Sequence, residues 1–144
     1  MSFVLDHSVS ALWLLPQSRP SGVAYAESAL DQLGRASARV PCSWTLDTAH
    51  LVARAEGDGV VSAARARAFV ELLSRLDIRI DEATALHGLG RTLELARRYR
   101  IGAHDAAYLE LAMREQLALA TLNGALVEAA NSAGVELFGK GAAA

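Results

Sequence analysis

Four residues carry oxygen donors at places where a fold could bring them together: Asp6, Asp47, Asp105 and Asn123. Asp6 closes the apolar run Phe3-Val4-Leu5, and Asn123 follows a second such run ending at Thr121. Asp105 opens an Ala/Leu-rich stretch, a first-turn position where a carboxylate meets unsatisfied N–H groups and the positive end of a helix dipole. Acids at strand ends and helix mouths reach the C-terminal edge of an open α/β sheet, where such folds place their active sites. Oxygen donors suit hard divalent cations, and Mg²⁺ keeps several waters, so a few carboxylates suffice. A cation held this way acidifies a bound water and neutralises developing negative charge, the chemistry of metal-assisted hydrolysis. Taken singly, acids at strand ends and helix starts are usually solvated caps, Asn123 reads evenly as a turn residue before Gly124, and periodicity alone does not prove that the four converge.

The elements that must position these residues read as an α/β alternation. Strands are predicted over 2–5, 38–42, 76–80 and 117–121, with a last edge strand over 135–138. Helices are predicted over 9–15, 23–33, 44–56, 62–75, 82–99 and 124–132, and another runs from Asp105 to Arg114. Asp6 or Ser8 is placed to cap the first helix. Pro16, Pro20 and Gly22 mark a loop, and Gly34 and Gly134 mark helix ends. Leu86, Leu89, Leu93 and Ala96 form the expected inner face of the 82–99 helix, and Asp47, His50 and Arg54 form one stripe of the 44–56 helix. Short strands alternating with helices imply parallel pairing through right-handed crossovers. The first strand is then central, its C-terminal end beside that of the 117–121 strand.

The 144 residues suit one domain, assigned to 1–138 with a frayed tail over 139–144. Hydrophobic content of 52 % fits a sheet buried on both faces. No apolar run is long enough to span a bilayer. Asp6 and His7 interrupt the N-terminal apolar run, which does not read as a signal peptide. The single cysteine, Cys42, excludes an intramolecular disulfide and a cysteine-based zinc site, and is expected to be a small buried residue. An intracellular, cytoplasmic protein is the default expectation. A net charge of −2 gives no whole-molecule case for nucleic acid. Basic charge is nearly all arginine, with Lys140 the only lysine. Arg97, Arg98 and Arg100 read either as a solvated helix end or as an RNA backbone contact. No glycine-rich phosphate loop supports a nucleotide-binding domain.

The ordered blocks carry a resemblance. Phe3-Val4-Leu5-Asp6-x-Ser8, Trp13-Leu14-Leu15-Pro16, Val40-Pro41-x-x-Trp44, His104-Asp105-Ala106-Ala107-Tyr108-Leu109-Glu110-Leu111-Ala112, Leu119-Ala120-Thr121-Leu122-Asn123-x-Ala125-Leu126 and Ala133-Gly134-Val135 together resemble the PIN-domain superfamily. Within it the chain is most similar to VapC-type toxins, over residues 3–138. The resemblance implies a three-layer α/β/α domain with a mostly parallel sheet of four to five strands. It implies an Mg²⁺-dependent endoribonuclease, with Mn²⁺ as a substitute. The expected partners are an RNA substrate, a VapB-like antitoxin and a second copy in a homodimer, with no membrane association.

Residue by residue, Asp6 matches the family's first acid and Asp105 its third, and both are expected to bind metal. Ser8 matches the hydroxyl that supports the first acid, and Thr121 matches the family's threonine. Asp47 falls where glutamate is usual and is shorter by about 1.5 Å. His50 falls where asparagine is usual. Asn123 falls where many members carry a fourth aspartate, keeping an oxygen but losing a charge. His50 and His104 each sit beside an expected ligand, able to bond a carboxylate, contact a phosphate or bind a transition metal. These departures imply weaker metal binding, and they motivate an alternative: a degenerate PIN domain kept as an RNA- or protein-binding module.

Overall fold

Phe3, Val4 and Leu5 are all buried, as a strand covered on both faces requires. They form β1 (Phe3–Leu5) in a computed structural model that describes residues 1–139. β1 pairs in parallel with β2 (Ala38–Pro41) on one side and with β4 (Ala118–Ala120) on the other. β3 (Ile78–Asp81) pairs in parallel with β2, giving the order β3-β2-β1-β4. The sheet is central and flanked by helices, a three-layer α/β/α fold, and β1 is an inner strand as predicted. Leu5 stands opposite Ala120, so the next residues, Asp6 and Thr121, leave the sheet side by side. The Asp6 N–H still donates to the Ala120 carbonyl at 2.9 Å.

The helices are α1 (His7–Ser10), α2 (Val23–Gln32), α3 (Ser43–Gly57), α4 (Ala63–Arg75), α5 (Thr84–His87), α6 (Leu93–Tyr99), α7 (Ala103–Glu115) and α8 (Gly124–Ala133). α7 is the hub. Every residue from Ala106 to Ala112 is buried, so the helix is enclosed all round rather than along one stripe. It packs against β1, β2, β4, α6 and α8. Enclosure forces the charges on α7 to be paired. Arg114 donates to Glu110 at 2.8 and 2.9 Å and to Asp81, at the end of β3, at 3.1 and 2.6 Å. This fork ties the C-terminal half of α7 to the sheet and leaves its N-terminal turn, with Asp105, at the strand ends.

Several expectations are corrected. The helix predicted over 82–99 is divided into α5, a π-helical turn over Gly88–Thr92, and α6. Gly88 and Gly90 soften this stretch. One residue added to a helical turn rotates the residues beyond it by about 100°. Leu86 and Leu89, expected inside, are therefore 80 % and 92 % exposed, while Thr92 and Leu95 are buried. The first helix ends at Ser10 and tightens into a 3₁₀ turn over Ala11–Trp13. The edge strand expected over 135–138 is reduced to one parallel bridge between Leu119 and Leu137. Phe138 there stacks on Phe3, with ring centroids 4.7 Å apart, which serves packing rather than a ladder. Cys42 is exposed, because it lies at the turn between β2 and α3. Of the tail expected over 139–144, residues 140–144 lie outside the described residues. Among those described, no helix is long and apolar enough to cross a membrane.

Candidate active site

Asp6 is the N-cap residue of α1, yet its carboxylate makes no capping bond. It is held instead by two hydroxyls. Ser8 Oγ donates to Asp6 Oδ2 at 2.5 Å, and Thr121 Oγ1 donates to the same oxygen at 2.7 Å. Each hydroxyl has its own acceptor site filled from the backbone. The Leu122 N–H donates to Ser8 Oγ at 2.9 Å, and the Asn123 N–H donates to Thr121 Oγ1 at 3.1 Å. Both hydroxyl protons are thereby directed at the carboxylate. Asp6 is 3 % exposed, and burial pushes its pKa above the usual carboxylate value. The two hydroxyls oppose that rise, and the neighbouring charge of Asp105 adds to it.

Asp105 sits in the first turn of α7 and is half-buried. Its Oδ2 accepts a hydrogen bond from the Asn123 side-chain nitrogen at 3.1 Å. Asn123 is the N-cap of α8, and its Oδ1 accepts from the Ala125 and Leu126 N–H groups at 3.0 and 3.3 Å. Those two donors fix the orientation of the amide. The oxygen expected to serve as a ligand is therefore committed to a helix cap. Asn123 turns an N–H, not an oxygen, toward the pocket, which makes it an orienting group for Asp105.

Asp47 lies in the second turn of α3 rather than the first, with its side chain 31 % exposed. Its Oδ2 is 3.4 Å from Nδ1 of His104, which stands on α7 beside Asp105. His50 is exposed and has no hydrogen bond or ion pair among the described residues. Asp6, Ser8, Asp105, Thr121 and Asn123 thus form one bonded group, Asp47 and His104 form a pair at its rim, and His50 joins neither.

Tyr108 is a residue to which the sequence assigned no role. Asp6, Asp47 and Asp105 all act on its hydroxyl, and with burial as the larger cause they push its pKa well above the ordinary tyrosine value. The signal was available: Tyr108 stands one turn beyond Asp105 on the same face of α7.

Among the described residues, no three His, Cys, Asp or Glu side chains form a group able to hold an ion. Asp6 and Asp105 each bond the protein through Oδ2, leaving Oδ1 of both without a protein partner among those residues. These two free oxygens are the donors from which a cation site here would have to be built, water completing the shell.

No family model matches the sequence, and no curated protein matches it. Among solved structures the chain is similar to PAE2754 from Pyrobaculum aerophilum, with a TM-score of 0.61 and 17 % sequence identity over 90 % of this chain and 87 % of that one. At that identity the likeness establishes the fold.

Proposed function

We propose that this chain is a metal-dependent endoribonuclease of the PIN type, acting in the cytoplasm as the toxin half of a VapBC-like toxin–antitoxin pair. The observation that carries it is the bonded path from Asp6 through Thr121 and Asn123 to Asp105, which joins acids 99 residues apart in sequence at one sheet edge. Asp6 and Asp105 would hold an Mg²⁺ or Mn²⁺ ion through their free oxygens. When bound, the cation supplies an acidified water and neutralises charge on the phosphate. Ser8 and Thr121 keep Asp6 oriented. Asn123 keeps Asp105 oriented through its side-chain N–H. Asp47, paired with His104, would reach the cation only through water. Partners on this reading are RNA, an antitoxin resembling VapB, and a second copy of the chain.

The test is cleavage of RNA with Mg²⁺ or Mn²⁺ by protein free of antitoxin, beside the Asp105→Asn variant. Metal-dependent cleavage lost in the variant supports the assignment, and equal activity from both proteins refutes it.

The second reading, a binding module with a weakened centre, is favoured by the N–H that Asn123 turns toward Asp105 and by the contact of Asp47 with His104. Restoring glutamate through Asp47→Glu and a fourth acid through Asn123→Asp separates the two. Activity present only in the restored protein favours the module, and robust cleavage by the unaltered chain ends it.

A further inference from the structure

The Tyr108 side chain is 1 % exposed, and its hydroxyl is buried without a protein hydrogen-bond partner among the described residues. The same holds for Nδ1 of His7. Buried polar atoms are rarely left so, because each unmet bond is costly in a dry interior. These two are neighbours of the same carboxylate. His7 follows Asp6 directly, and its imidazole acts on the Asp6 charge. The His7 backbone lies close to the Tyr108 hydroxyl without completing a hydrogen bond to it. The phenol cannot turn away to find one, since its oxygen ends a rigid ring enclosed within α7's packing.

We propose that Tyr108 is a positioning residue, donating its hydroxyl proton to an internal water molecule beside the Asp6 carboxylate, with His7 Nδ1 as a second partner of that water. An internal water needs two to four polar partners, and the phenol, the imidazole and one carboxylate oxygen supply three. Tyr108 and Asp105 share one face of α7, so the water and the acid are carried by the same rigid element. Such a water is restrained in direction before substrate arrives, which is where orientation lowers a barrier. The role in hydrolysis rests on the ribonuclease reading, while the water's placement does not.

Tyr108→Phe keeps the ring and removes only the hydroxyl. The experiment pairs high-resolution crystal structures of the metal-free parent and variant with RNA cleavage kinetics. The expected structures show an ordered water within hydrogen-bond reach of Tyr108 Oη and a carboxylate oxygen, absent from the variant. The expected kinetics are a kcat lowered about tenfold with KM for RNA unchanged. A Tyr108 hydroxyl bonded directly to protein, or no water in the parent, overturns the placement. Unchanged kcat in the variant overturns the positioning role, whereas a parent that cuts no RNA but holds the water leaves the placement standing and removes the ribonuclease reading.

Discussion

The side-chain nitrogen of Asn123 bonds Asp105 at 3.1 Å while the oxygen of the same amide caps α8. One side chain thereby fixes an acid on α7 against the start of α8. Asn123→Asp retains a capping oxygen but sets a second carboxylate against Asp105. Metal-free protein is expected to lose about 1.5–3 kcal/mol, the worth of a hydrogen bond to a charged group. Added Mn²⁺ should recover that loss. Thermal melts with and without Mn²⁺ check this, and an unchanged metal-free Tm would argue against the contact.

Ser8 and Thr121 both donate to Asp6 Oδ2, so they act as a unit. Ser8→Ala and Thr121→Val should each cost about 1–3 kcal/mol, because the buried carboxylate loses a donor. The double variant should depart from additivity, as expected for two groups sharing one acceptor. Urea unfolding of the four proteins in the cycle measures the coupling.

Burial holds the Asp6 pKa above its unfolded value of 3.8. From pH 3.8 upward the unfolded chain sheds this proton first, so the folded state binds more protons and stability falls as pH rises through that window. The penalty is complete above the folded pKa. Asp6→Asn removes it. The variant should gain stability relative to the parent near neutral pH, and the gain should vanish below about pH 4. Chemical denaturation from about pH 3 to about pH 7 supplies the curve, and a variant advantage that grows toward acid would reverse the sign.

Arg114 joins Asp81 and Glu110, which are 7 % and 4 % exposed at their side chains. Arg114→Met leaves two buried carboxylates without their partner, and a loss of about 3–5 kcal/mol is expected. Adding Asp81→Asn and Glu110→Gln should return much of it. Burial alone would raise the Asp81 pKa, but the bonds from Arg114 and Thr84 bring it below 3.8. Its stabilisation is present above pH 3.8 and is lost as pH falls through the lowered folded value, so that acid-side slope should disappear in Arg114→Met.

The central place of β1 beside β4 was legible because Phe3-Val4-Leu5 is apolar at every position, as a strand covered on both faces requires, whereas the order of β2 and β3 was not. Asp6, Asp105 and Asn123 were legible as single candidates from their places at strand and helix ends, but their grouping with Ser8 and Thr121 was legible only through the resemblance of the ordered blocks. The direction of the Asn123 amide was not, because it is decided by two backbone N–H groups that exist only once α8 has formed. The exposure of Leu86 and Leu89 was hidden for a related reason. Helical periodicity assumes constant winding, and the π-helical turn at Gly88–Thr92 resets the phase. Tyr108 was not legible, since a tyrosine within an apolar block shows nothing of its hydroxyl until burial leaves that hydroxyl without a partner and the charges of Asp6, Asp47 and Asp105 act on it.

A cation held between Asp6 and Asp105 is open to calorimetric titration of Mn²⁺ into the unaltered protein, the Asp6→Asn variant and the Asp105→Asn variant, with folding confirmed for each. One saturable Mn²⁺ site per chain is expected, lost or greatly weakened in both variants. Saturable binding that survives both substitutions, or none in the unaltered protein, would contradict a metal centre at these two acids.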